Sequence, residues 1–189
     1  MVAQEPLDLT NLPRFIDHLR ARDAGLSTFV RGLLGVGWEV SDFWGPEQMD
    51  VWALRLHSNG RALRFGIERG FVDGVLVGSD GDRSIDFYPL SYAVLGWARS
   101  TGAVVPLEDP DHFSPDIGAH GWAALDWLAA GNDGNVARIR SAWKAYFELR
   151  YAPDSSRNEE WLAKTKAHGI RLIEQAAADS AGDSLGTVR

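Results

Sequence analysis

The chain reads as an α+β protein: an antiparallel β-meander of four to five strands, flanked by N-terminal helices and covered by C-terminal helices. Three observations predict this. Short segments of strand pattern run from Trp38 to Phe87. Turn signals separate them at Ser58-Asn59-Gly60-Arg61, Arg69-Gly70 and Ser79-Asp80-Gly81-Asp82, and such dipeptides favour hairpins over crossovers. Helical periodicity lies on both sides of that run.

The elements follow in order. Leu12, Phe15, Ile16 and Leu19 recur at helical spacing, and after Asp23 to Gly25 the pattern restarts with Leu26, Phe29, Val30, Leu33 and Leu34. Two short amphipathic helices result, the second punctuated by Gly35 and Gly37. Trp38 to Phe43 predicts a first strand, with Gly45-Pro46 opening its turn. Asp50 to His57 alternates, with Trp52, Leu54 and Leu56 on one side and Val51, Ala53 and Arg55 on the other. Leu63, Phe65 and Ile67 alternate with Arg64, Gly66 and Glu68, which implies one buried and one wet face. Phe71 to Val77 continues the meander, and Ile85 to Phe87 adds an edge piece.

A helix entered at Pro89 places Leu90, Ala93, Val94 and Trp97 on one stripe, fit to cover the sheet, and ends at Gly102. Beyond a Pro- and Asp-rich loop, helices are expected over Ile117 to Ala130, Asn135 to Tyr151 and Asn158 to Ala178. The expected organisation is a single domain over residues 1–180 with a disordered tail over 181–189. Eight Trp and eight Phe supply much of the core, each buried Trp contributing roughly 5 kcal/mol gross.

Composition excludes several function classes. With 19 basic and 26 acidic residues, a formal charge of −7, and no basic stripe, nucleic acid and anionic membranes are disfavoured partners. The absence of cysteine removes disulfides, thiolate metal sites and thiol nucleophiles. No leader pattern and no long apolar run are visible, so a soluble cytoplasmic protein is expected.

Chemistry-bearing residues are few. The segment Glu108 to Asp116, with His120 beyond it, brings His112, Asp116 and His120 to helical spacing, a pattern able to hold a metal. Pro110 and Pro115 forbid one continuous helix, however. Ser114-Pro115 instead suits a helix start with Asp116 in the first turn, so no metal and no cofactor is expected. His57 and His18 have no partner visible in sequence and read as surface histidines, whereas His168 reads as a hydrogen-bonded, partly buried one. Asp80-Gly81-Asp82 lacks the closing glutamate of a calcium loop, since the twelfth position is Ser91. Trp143, Tyr146, Phe147 and Tyr151 form a core-facing helix stripe rather than a base-stacking platform. No nucleophile elbow, phosphate loop or dinucleotide fingerprint is present.

The segments Phe29-Val30-Arg31-Gly32-Leu33-Leu34, Gly37-Trp38-Glu39-Val40 and Ala62 through Asp73 resemble those of small bacterial α+β proteins of the polymorphic-toxin immunity type. The likeness covers Phe29 to Gly102. It implies a helix, a strand opening on a glycine-aromatic pair and a hairpin with an acidic-Arg-Gly turn, and it carries no catalytic residues.

The expected function is a non-enzymatic protein-binding domain, an immunity protein that neutralises a cognate toxin. Its partner-binding residues are expected in the acidic loop at Glu108, Asp109, Asp111, Phe113 and Asp116, where one aromatic stands among four carboxylates. A small enzyme or ligand-binding domain with a pocket between sheet and C-terminal helices, and a structural or regulatory subunit, are the alternatives.

Overall fold

The computed structural model describes residues 7–81, 87–105, 116–130, 137, 139–141, 143, 144 and 171. The chain falls into two compact units, Met1–Leu90 with Ile117–Ala119, and Ser91–Asp116 with His120–Arg189.

The first unit opens with α1 (Leu12–Arg22) and α2 (Ala24–Gly35). Pro13 sits in the first turn of α1, where its missing N–H breaks no helical bond. Asp23 is the whole break between the helices. Its extended backbone donates to the Leu19 carbonyl at 2.7 Å, closing α1, while its side chain accepts from the Leu26 amide at 2.8 Å, capping α2.

Five strands follow among the described residues: β1 (Glu39–Glu47), β2 (Val51–Ser58), β3 (Arg61–Glu68), β4 (Phe71–Ser79) and β5 (Tyr88–Pro89). They form one antiparallel sheet in chain order, the meander that the turn chemistry predicts. Both tight hairpins have positive φ at their central pairs, Asn59 (49°) with Gly60 (75°) and Arg69 (52°) with Gly70 (81°). That sign pattern matches the right-handed twist of the strands.

Two boundaries differ from the sequence reading. Gly45-Pro46 does not open a turn: β1 runs on through a cis peptide to Glu47, with register shifts at Val40/Asp42 and Trp44/Glu47. The edge pairing falls at Tyr88–Pro89 against Val77 and Leu76, so Phe87 stands just before it and Ile85 lies outside the described residues.

Alternation sorts the sheet into two faces. Phe43, Leu54 and Phe65 form one cross-strand row, and Leu56, Leu63, Val77 and Tyr88 another; all are buried. Helices α1 and α2 cover this face. Phe15 lies 6.0 Å from Phe43 edge-on and 6.0 Å from Trp52, and Phe29 meets Phe65 at 6.4 Å. The opposite face carries the row Asp42, Arg55, Arg64, Leu76 and Pro89.

Helices α3 (Leu90–Thr101) and α4 (Ile117–Ala130) have the predicted bounds, and from Ser91 and from His120 onward they belong to the second unit. Leu90, Ala93 and Val94 of the predicted stripe are buried and Trp97 is half-buried. Inside this unit the Trp127 ring lies against the backbone of α3 at Gly96. Tyr92 meets Trp143 edge-on at 5.3 Å, the packing role read for Trp143. Tyr146, Phe147, Tyr151, His168 and most of the last two predicted helices lie outside the described residues. Among the described residues no helix is long and apolar enough to cross a membrane.

Within the first unit, the backbone at the start of α4 runs close to that at the start of α2. A Cβ on Gly118 would stand 2.6 Å from the Gly25 Cα. Alanine gains up to about 1 kcal/mol of helix propensity, but overpacking against backbone costs about 1–3 kcal/mol, so the clash wins. Gly118→Ala is expected to lower stability by about 1–2 kcal/mol in urea unfolding. Gly35→Ala, where a Cβ meets nothing within 4 Å, is expected to gain a few tenths of a kcal/mol in the same assay.

Candidate functional site

The end of the sheet that holds the β1–β2 and β3–β4 turns concentrates unusual backbone and exposed apolar side chains. Met49 (φ 65°), Asp50 (φ 58°) and Arg69 (φ 52°) all occupy the left-handed region there, which costs a non-glycine residue about 1–2 kcal/mol. The two turns are joined directly, because the Arg69 amide donates to the Met49 carbonyl at 3.0 Å.

Arg22, the last residue of α1, ties both turns to the helix. Its Nε donates to the Gly70 carbonyl at 2.6 Å, its Nη2 to Asp50 Oδ2 at 3.2 Å, and its Nη1 to the His18 carbonyl at 3.0 Å. Asp50 Oδ1 accepts from the Trp52 indole Nε1 at 2.8 Å, and His18 Nδ1 stands 3.7 Å away. Charge-assisted bonds of this kind are the strong ones, and they offset the turn strain.

On this braced frame Met49 is 61% and Phe71 77% exposed. Phe71 begins β4 immediately after Gly70, so both side chains flank the pinned turns. Arg69, Glu68 and Glu47 surround them with exposed charge. Apolar side chains inside a charged rim are a pattern shared with protein interfaces, and strained backbone concentrates at functional sites.

The histidines read as partnerless have partners. His18 faces Asp50 and the Trp52 ring, 5.5 Å between centroids. At the opposite end of the sheet His57, half-buried, stands between Asp80 Oδ2 at 3.3 Å and Glu39 Oε2 at 3.5 Å. Those carboxylates come from β1 and from the turn that follows β4, which no local motif announces.

Of the acidic loop, Glu108, Asp109, Asp111 and Phe113 lie outside the described residues, as do His112, Ser114 and Pro115. Asp116 is exposed, and its carbonyl accepts from the His120 amide at 3.0 Å at the start of α4. The His120 ring lies 5.8 Å from that of Trp97. Among the described residues no group of three His, Asp or Glu side chains is placed to hold a metal ion.

Sequence reasoning missed the braced corner. The signal it held was the pair Met49 and Phe71, apolar residues set beside turns rather than inside strands.

Two substitutions test the corner. Asp50→Ala strands the buried Trp52 N–H and frees Arg22, and is expected to cost about 2–3 kcal/mol, read by urea unfolding. Arg69→Asn places a residue tolerant of the left-handed region at φ 52° and is expected to raise stability by about 0.5–1 kcal/mol. Comparison with protein-family models, curated proteins and solved structures finds no match, so these residues themselves carry the functional reading.

Proposed function

We propose that this chain is a non-enzymatic protein-binding domain, an immunity protein that neutralises a cognate bacterial toxin by seating on it. One observation carries the reading. Three non-glycine residues, Met49, Asp50 and Arg69, are held in left-handed backbone at the sheet end that presents Met49 and Phe71 to solvent. Rigid turns displaying apolar side chains lose little entropy on docking, and a buried aromatic is a typical source of binding energy.

The formal charge of −7 supports a basic partner, because complementary fields speed encounter. The acidic residues Glu108, Asp109, Asp111 and Asp116 add to that field, and Phe113 is the anchor assigned among them. The resemblance over Phe29 to Gly102 supports the immunity role.

Co-expression with the product of the adjacent gene tests the proposal. The two proteins are expected to co-elute, and the chain is expected to protect cells from that product. Met49→Ser with Phe71→Ser is expected to weaken the complex about 30-fold or more while leaving thermal unfolding of the free chain nearly unchanged. Failure of the wild-type chain to bind and protect overturns the reading.

A further inference from the structure

The sheet face turned away from α1 and α2 holds an arrangement that the docking surface does not use. Arg55 and Arg64 are direct cross-strand partners on β2 and β3, and Asp42 is Arg55's partner on β1. Like charges set opposite one another repel, so the pair is kept at a cost.

The two guanidiniums are not equivalent. Arg55 is drawn aside: its Nη2 donates to the Asp80 carbonyl at 2.6 Å, and its Cζ lies 5.1 Å from the centre of the Phe87 ring. Its Nε is shielded from solvent and meets no acceptor. The side chains of Arg64 and Asp42, on either side of it, form no hydrogen bond or ion pair among the described residues.

Both of these residues line one recess of about 190 Å³. Ala53 leaves it room, and Trp44 and Phe87 wall it. Trp44 is 37% exposed, unusual for so large a ring on a sheet. A second recess of about 190 Å³ continues past Trp44 and Arg64 over Gly66 and Gly74. Space of about 150 Å³ holds a benzene-sized body.

An unpaired carboxylate and an unpaired guanidinium facing one ring-walled recess match a ligand that carries both charges. We propose that this recess binds a free α-amino acid with an apolar side chain. The ligand's carboxylate pairs with Arg64, its ammonium pairs with Asp42, and its side chain lies against Trp44 towards the glycine-floored recess. A simple anion suits the site less well, because Asp42 repels it. A simple cation meets two arginines. The zwitterion gives Arg64 and Asp42 a partner each, while Arg55 stays on the Asp80 carbonyl.

Binding is read by the Trp44 indole N–H resonance in a ¹⁵N spectrum of the whole chain, assigned by its loss in Trp44→Phe. L-leucine and L-phenylalanine are the probes, with N-acetyl-L-leucine lacking the ammonium and L-leucinamide lacking the carboxylate. Free amino acids are expected to give a saturable shift. Each blocked form is expected to bind about tenfold or more weakly, as are Asp42→Asn and Arg64→Gln. Arg64→Lys, which keeps the charge and loses the planar fork, is expected to fall between. Absence of a saturable shift with either free amino acid overturns the proposal. Equal binding of N-acetyl-L-leucine also overturns it in favour of a plain anion site, and equal binding of L-leucinamide does so in favour of a cation site. The readout needs no toxin, so its outcome is independent of the docking proposal.

Discussion

A buried indole must find an acceptor for its N–H, and at Trp52 that requirement organises one end of the molecule. The ring is 1% exposed and is packed by Phe15 and Phe43, so it cannot turn to water. Its acceptor is Asp50, and the β1–β2 turn that carries this carboxylate runs through left-handed backbone at Met49 and Asp50. The carboxylate then needs a cation to offset its own partial burial, and Arg22 supplies one from α1. Core packing, turn conformation and helix docking are thereby one coupled arrangement rather than three.

The two faces of the sheet follow from the same alternation but serve different ends. On one, large side chains in register rows give α1 and α2 a surface into which Phe15 and Phe29 fit. On the other, small residues at Ala53, Gly66 and Gly74 lie beside the charged row and interrupt the face with recesses. Replacing that interrupted face by a well-packed one would raise stability. Its retention of paired arginines and a half-exposed tryptophan is the kind of local cost that marks function.

Much of the architecture was legible because its causes are local. Asn59-Gly60 and Arg69-Gly70 declare their hairpins through backbone preference alone, and Asp23 declares the helix break through a side chain that reaches only three residues. The alternation of Trp52 to Leu56 and of Leu63 to Ile67 assigns the buried face. What escaped depends on residues distant in the chain. His57 gains carboxylates from β1 and from the turn after β4, Asp50 gains its guanidinium from α1, and the Gly25–Gly118 approach joins segments far apart in sequence. Turn placement after β1 failed for a related reason. Gly45-Pro46 is a turn signal in isolation, yet the pairing of Trp44 with Ala53 and of Glu47 with Val51 carries the strand past it.

The free edges of the sheet have a consequence for how the protein behaves in company. Among the described residues the sheet ends in β1 on one side, with two register shifts and Pro46 along it, and in the two-residue β5 on the other. Register shifts and a proline weaken the ladder of amides and carbonyls that recruits another strand. Copies of the chain that crowd together therefore meet a poor template at β1 while each keeps Met49 and Phe71 on show.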